Sequence, residues 1–206
     1  PYGVGADRRD NALCPSCHTM ERHRQLWLYL ERQTNIFTKP MSLLHFAPEP
    51  ILQKRLKKVP MLEYISADLY SPLAMEQVDI MAMPYPDQRF DVILCSHVLA
   101  HVPDDRLGME EMRRVLKTGG YAIIQSRINE LQDKTIEAPE GATEAERYKL
   151  LGQADRFRNY GLDHTERLES AGFKVKTVDI RQYLKPEEVK LYGIDTNELL
   201  YICQKQ

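Results

Sequence analysis

Met83-Pro-Tyr-Pro-Asp-Gln-Arg-Phe-Asp-Val-Ile-Leu-Cys-Ser-His-Val-Leu-Ala-His-Val-Pro-Asp104 is the stretch whose reading decides the fold. Its middle, Phe90 to Ser96, is a short apolar run of strand length, the pattern of a strand covered on both faces. From Asp104 to Leu116 the apolar positions Met112, Val115 and Leu116 fall with Gly108 on one side of a helix, which Gly119-Gly120 ends. Tyr121-Ala-Ile-Ile-Gln125 is then a further strand. A strand, a helix and a strand in this order imply parallel pairing through a right-handed crossover.

The same alternation extends upstream. Ser42 to Ala47 is an apolar run stopped by Pro48, and Glu49 to Lys58 reads as a helix with proline near its start. Tyr64 to Asp68 is a strand ending in an acid, and Val78 to Met81 a short third strand. A helix from Met20 places His23, Leu26, Trp27 and Leu30 at i, i+3, i+4 and i+7, and Pro40 separates it from the strands. Downstream, residues 127–160 are polar and read as an insertion or lid, helical from Thr143 to Gly152. Asp163 to Ala171 is a helix stopped by Gly172. Phe173 to Ile180 and Leu199 to Cys203 are strands with no clear helix between them, so an antiparallel pair at a sheet edge is expected. Fold class is therefore α/β.

With 206 residues, 43% of them hydrophobic, the chain is long enough for one domain with a full core. A net charge of −2 makes a nucleic-acid backbone an unfavoured partner. No apolar stretch approaches membrane-span length and no signal-peptide pattern opens the chain, so a cytoplasmic protein is expected. Cys95 and Cys203 lie in strand-like runs and read as buried thiols.

The quoted stretch resembles the centre of class I S-adenosylmethionine-dependent methyltransferases, where L-P-F-x-D-x-x-F-D precedes an H-V-L-E-H-V-type segment. Arg113-Arg-Val-Leu-Lys-Thr-Gly-Gly120 is similar to the family's R-V-L-K-P-G-G turn, and Ala171-Gly-Phe-Lys-Val175 to its A-G-F-x-V lead into a sixth strand. The resemblance covers roughly residues 41–203. It implies a three-layer, Rossmann-like, seven-stranded sheet, mostly parallel, with an antiparallel C-terminal hairpin. Residues 21–206 would form that domain, after an N-terminal segment of residues 1–20.

The resemblance also implies a cofactor site for S-adenosylmethionine. The turn after the first strand, Phe46-Ala-Pro-Glu49, departs from the family in having no glycine, and Pro48 and Pro50 stiffen it. Asp68, followed by Leu69, stands where a carboxylate receives the ribose hydroxyls; a strand-end turn aspartate is the plainer reading. Asp79 and Ile80 stand where an acid meets the adenine amino group and an apolar side chain covers the ring, against a solvated loop acid. Ser96 and His97 follow the fourth strand, beside the methionine portion. Glu49 suits a sulfonium or amino group, or simply a helix's first turn. His97 and His101 are the candidate bases, since an imidazole is suited to taking a hydroxyl proton; His164 is a further candidate beside a capping Asp163.

Cys14-Pro-Ser-Cys17 has the spacing of half a zinc ribbon. A structural zinc needs four ligands, so the expectation is either a missing half upstream of Pro1 or a contribution from His18 or His23. Arg22, His23 and Arg24 open the first helix, where they could meet the cofactor's carboxylate, an anionic substrate, or only solvent. The acidic balance and the polar insertion favour a small-molecule acceptor. The alternatives are a tRNA or protein methyltransferase, and a non-catalytic binding protein on the same fold.

Overall fold

The computed structural model describes residues 2–4, 9–194 and 197–206. In chain order, β1 (Tyr2–Val4) and β2 (Arg9–Leu13) pair as an antiparallel hairpin. Then come α1 (Glu21–Gln33), β3 (Met41–Phe46), α2 (Pro50–Leu56), β4 (Leu62–Asp68), β5 (Glu76–Gln77) and β6 (Phe90–Ser96). A 3-10 turn at Leu99–His101 leads into α3 (Asp105–Val115) and β7 (Leu116–Gln125). The insertion holds β8 (Ile136–Glu137), α4 (Glu144–Leu151) and β9 (Arg158–Asn159). α5 (His164–Ser170), β10 (Lys174–Val178), α6 (Pro186–Tyr192) and β11 (Leu200–Gln204) complete the chain.

The main sheet has seven strands in the order β10-β11-β7-β6-β3-β4-β5. β3 to β7 run parallel, while β11 is antiparallel to both β7 and β10. This is the Rossmann-like sheet with an antiparallel C-terminal hairpin that the sequence implies. Strand alternation sends successive residues to opposite faces. Val92 and Leu94 therefore join Leu26, Leu30, Leu52 and Leu56 of α1 and α2 in one core. Ile93 and Cys95 join Met109, Met112 and Val115 of α3 in the other. Helices on both faces cover β3 and β6 at all but one position each, Met41 and Asp91, which is why those strands read as nearly continuous apolar runs rather than alternating ones.

The chain runs outward from β3 through β4 to β5, then returns to place β6 on the other side of β3. That reversal opens a crevice outside the carboxyl ends of β3 and β6, the usual place for a ligand in such sheets.

Local chemistry explains the departures from the sequence reading. Val78 to Met81 is a turn and the strand is Glu76–Gln77, because the Asp79 side chain accepts the Met81 N–H at 2.8 Å and bends the chain. Gly119-Gly120 does not end α3 but forms a bulge within β7: Gly119 has φ 80°, and a Cβ on Gly120 would lie 2.8 Å from the Asp91 carbonyl oxygen. A helix, α6, does separate β10 from β11, announced by Pro186 at its start, Glu187 and Glu188 in its first turn and Gly193 at its left-handed end. The N-terminal segment, read as irregular, carries the β1–β2 hairpin. Cys95 and Cys203 are buried free thiols, as expected.

Candidate cofactor and substrate site

The cofactor-side candidates lie together along the carboxyl edge of the sheet. β3 ends at Phe46, paired with Ala67 of β4 on one side and Cys95 of β6 on the other. The next residue, Ala47, takes a left-handed backbone with φ 48° and donates its N–H to the Ala67 carbonyl at 2.9 Å. The smallest residue that has a Cβ thus stands here in the conformation that favours glycine. At the end of β6, His97 is also left-handed, with φ 57°, and its N–H goes to the Gln125 carbonyl at 2.9 Å. Strained backbone of this kind collects at functional sites. Here it sits at the tips of the two central strands. Pro48 is buried and starts the path into α2.

Glu49 turns inward. Its Oε2 lies 3.1 Å from His45 Nε2, and the other ring nitrogen of His45, which is fully buried, meets the Tyr64 hydroxyl at 2.9 Å. Glu49 Oε1 lies 3.4 Å from His23 Nε2. Burial pushes the Glu49 carboxyl up, but the His45 hydrogen bond and the two imidazoles outweigh it and hold it below the usual range. Burial drives His23 down to about 4, so it is neutral at physiological pH. His45 and Tyr64 were not singled out from sequence. Their signal was a polar side chain within an otherwise apolar, covered strand.

Asp68 closes a turn, as its plainer reading has it: Oδ1 accepts the N–H groups of Tyr70 at 2.8 Å and Ser71 at 2.7 Å. Both lone pairs of Oδ2 remain for a ligand. Leu69 is half-buried beside it and gives its carbonyl to Gln77 Nε2 at 2.9 Å. Asp79 likewise spends Oδ1 on its own turn, while Ile80 is buried against the Gly108 backbone of α3. Ser96 is buried, and its hydroxyl has no hydrogen-bond partner. The Oε1 atom of Gln125 on the neighbouring strand and the Nε of Arg22 on α1 are equally buried and unpartnered. Buried polar atoms without partners are rare. These three occur on adjacent elements at one edge.

His97 and His101 line one cleft of about 690 Å³, bounded by Arg22 of α1, Ser126 after β7, Arg156 of the insertion and Tyr201 of β11. Its size suits a small molecule. His97 Nε2 donates to Glu198 Oε1 at 2.8 Å, which fixes the ring and leaves Nδ1 as the nitrogen able to accept a proton. His101 Nδ1 lies 3.2 Å from both the carbonyl and Oδ2 of Asp155. Gln25 ties this corner together by donating to the Glu198 carbonyl at 2.6 Å. Glu198 was not singled out from sequence, because it lies 101 residues from its partner.

Two expectations are corrected. Arg24 does not face the cleft: it donates to the carbonyls of Tyr192 at 2.6 Å, Thr19 at 2.6 Å and Gly193 at 3.0 Å, tying the N-terminal segment to the end of α6. His164 is fully enclosed between the rings of Tyr160 and Tyr201, burial driving it down to about 4; Asp163 bonds Thr135 instead of capping α5. The zinc reading finds no support among the described residues. Cys14 and Cys17 share a tight loop in which Cys17 Sγ meets Thr19 Oγ1 at 3.1 Å. Among the described residues no group of three or more His, Cys, Asp or Glu is placed to hold a metal ion.

Sheet order and crossover pattern are those of a Rossmann-like fold. Comparison with known proteins agrees: residues 45–124 match the family described as methyltransferase domain. The 27-O-demethylrifamycin SV methyltransferase of Amycolatopsis mediterranei (strain S699) is 28% identical over 60% of this chain and 44% of its own length. The ubiquinone/menaquinone biosynthesis C-methyltransferase UbiE of Xanthomonas oryzae pv. oryzae (strain MAFF 311018) is 41% identical over 30% of this chain and 22% of its own. The chain thus matches less than half the length of either relative. In fold it resembles the Burkholderia thailandensis 1,6-didemethyltoxoflavin-N1-methyltransferase, solved with 1,6-didemethyltoxoflavin and S-adenosylhomocysteine, with TM-score 0.58 and 14% identity, over 90% of this chain and 78% of that one. No helix among the described residues is long and apolar enough to cross a membrane.

Proposed function

We propose that this chain is an S-adenosylmethionine-dependent methyltransferase acting on a small molecule. The observation that carries the reading is the pair of left-handed residues, Ala47 and His97, at the tips of β3 and β6. Ala47 gives the turn after β3 a left-handed start without a glycine, which supports this reading. The unpartnered Ser96 hydroxyl, Gln125 Oε1 and Arg22 Nε fit the polar end of an amino-acid-bearing ligand. Phe46, Ala47 and Pro48 would form the wall of the site, and Asp68 Oδ2 would receive the ribose hydroxyls beside Leu69. Asp79 would meet the adenine amino group and Ile80 the ring face. Ser96, His97 and Glu49 would surround the methionine portion, with Arg22 for its carboxylate.

S-adenosylmethionine supplies a methyl group on a sulfonium, so the sulfur leaves neutral and needs no proton. The chain's task is therefore alignment, a proximity effect. Where the acceptor is a hydroxyl, His97 Nδ1 and His101 Nε2 are the atoms placed to take its proton. The relatives that methylate small molecules support this acceptor class, and a cytoplasmic location is proposed with it.

Calorimetric titration with S-adenosylmethionine and S-adenosylhomocysteine, with a nicotinamide nucleotide as control, tests the reading. The sulfur nucleosides bind and the control does not. Absence of binding in folded protein overturns the proposal and leaves a non-catalytic role for the fold.

A further inference from the structure

The cysteines fall into two pairs with opposite surroundings. Cys95 and Cys203 are buried inside β6 and β11. Loss of water pushes the Cys95 thiol up to about 12 and raises that of Cys203 as well, so both stay protonated at physiological pH and out of reach of reagents. Cys14 and Cys17 stand instead on the loop between β2 and α1, Cys14 half-buried and Cys17 exposed.

The base of that loop is clamped. Leu13 and Met20 form a bridge, the Cys14 N–H donates to the Thr19 carbonyl at 2.9 Å, and the His18 N–H donates to the Cys14 carbonyl at 2.9 Å. His18 turns the chain back with a left-handed backbone, φ 58°. Arg24 donates to the same Thr19 carbonyl at 2.6 Å and so ties the clamp to α1. The two thiols are thereby brought together: Cys14 lies within hydrogen-bonding reach of Cys17, whose Sγ also meets Thr19 Oγ1 at 3.1 Å. The Thr19 hydroxyl outweighs the burial that opposes it and, with smaller help from the Thr19 N–H, Cys14 and Arg24, holds the Cys17 thiol below its ordinary value. A thiolate is the attacking species in thiol–disulfide exchange, and access decides which of two thiols attacks first. A second thiol already in contact makes the next step a short ring closure within one molecule.

We propose that Cys14 and Cys17 are a redox-active dithiol that exchanges with small-molecule disulfides of the glutathione disulfide class, Cys17 attacking and Cys14 resolving. The Cys17 thiolate attacks one sulfur of the disulfide, which breaks its S–S bond, releases one thiolate and leaves a mixed disulfide on Cys17. The Cys14 thiol gives its proton to solvent, attacks Cys17 Sγ and expels the second thiolate, which closes the Cys14–Cys17 bond. The dithiol loses a pair of electrons and the small disulfide gains it, becoming two thiols. The inference is independent of the methyltransferase reading.

The test exposes the reduced chain, kept in a chelator, to glutathione disulfide without oxygen, blocks remaining thiols with an alkylating reagent and maps the peptides by mass spectrometry. The peptide holding Cys14 and Cys17 loses two hydrogens, dithiothreitol returns them, and Cys95 and Cys203 stay reduced. Cys14→Ser stops at a glutathione adduct on Cys17. Cys17→Ser reacts at least about tenfold more slowly, because the remaining thiol is the less exposed one. Wild-type protein that stops at a glutathione adduct, no reaction at either thiol, or an adduct forming on Cys14 as fast as on Cys17 overturns the inference. So does zinc, added before the oxidant, that stays bound through dialysis and keeps both thiols from reacting, since the loop is then a metal site.

Discussion

Two inward-facing carboxylates, Asp105 and Glu49, are treated in opposite ways. Asp105 is fully buried and saturated: Arg167 reaches it through Nε at 2.7 Å and Nη2 at 2.5 Å, the Tyr160 hydroxyl donates at 2.7 Å, and Arg158 lies at 3.6 Å. Burial pushes its carboxyl up, but Arg167 and the other partners hold it below the usual range. Glu49 has two imidazoles, one aligned at 3.1 Å and one at 3.4 Å, and its side chain keeps 14% of its surface exposed. The first arrangement locks the insertion onto the start of α3 and has no capacity left. The second keeps acceptor capacity in reserve at the edge where Ser96, Gln125 and Arg22 also lack partners. A saturated charge cluster is scaffolding, and an unsaturated one at a strand tip is where a ligand completes the bonding.

Breaking the saturated cluster produces the largest effect. Asp105→Ala leaves buried Arg158 and half-buried Arg167, which keeps Glu137, without their common anion, and loss of one partner from such a cluster costs about 3–5 kcal/mol. Urea denaturation measures this. A change under about 1 kcal/mol would show that the cluster is not the lock described here.

Acid sensitivity separates the two regions next. His164, packed against Tyr160 beneath the Asp105 cluster, and His23, beside Glu49, are both driven down to about 4 from an ordinary value near 6.5. The unfolded chain therefore binds more protons than the folded one between about pH 6.5 and pH 4, so stability falls as pH drops through that window. Each histidine contributes up to about 3 kcal/mol at full extent. His164→Phe and His23→Gln each remove part of the slope. A slope unchanged in both variants would mean that neither ring stays neutral in the fold.

Much of this contrast was legible in the sequence on one side only. The grouping of the candidate edge was readable because its residues end or directly follow apolar strands: Ala47 on β3, Asp68 on β4, Ser96 and His97 on β6. Position along the chain there equals position in space. The Asp105 cluster joins residues 55 and 62 positions apart. In sequence Asp105 is just a second acid at a helix start beside the capping Asp104, and Arg158 one of several basic residues in a polar stretch. No local periodicity encodes such a long-range meeting. The turn at Asp79 was misread for a related reason: two apolar neighbours suggested a strand, and a single side-chain hydrogen bond overrode them.

A smaller effect is expected at Glu49, and on ligand affinity more than on stability. Glu49→Gln removes the charge while keeping the shape, so folding changes by about 1 kcal/mol or less, whereas S-adenosylmethionine affinity falls about tenfold. S-adenosylhomocysteine has the same amino group without the sulfonium charge. Parallel loss for both nucleosides places Glu49 at the amino group; selective loss for S-adenosylmethionine places it at the sulfonium. A variant that binds both as wild type and melts much earlier would make Glu49 a second structural carboxylate and remove the contrast.

The smallest effect lies at Ala47, where two terms of similar size oppose each other. At φ 48° an alanine carries the left-handed penalty of about 1–2 kcal/mol, which glycine does not. Glycine, however, gives the unfolded chain more freedom, which costs about 0.5–1 kcal/mol. Ala47→Gly should therefore raise stability by under about 1 kcal/mol. Its effect on the cofactor is more informative. Alanine followed by Pro48 keeps the loop stiff, so the chain binds from a turn already formed, while glycine allows other conformations that must be given up on binding. Stability that rises while nucleoside affinity falls would show that the strained alanine preorganises the site. A rise in both would mean that the alanine is only a tolerated substitute for the glycine usual at this turn.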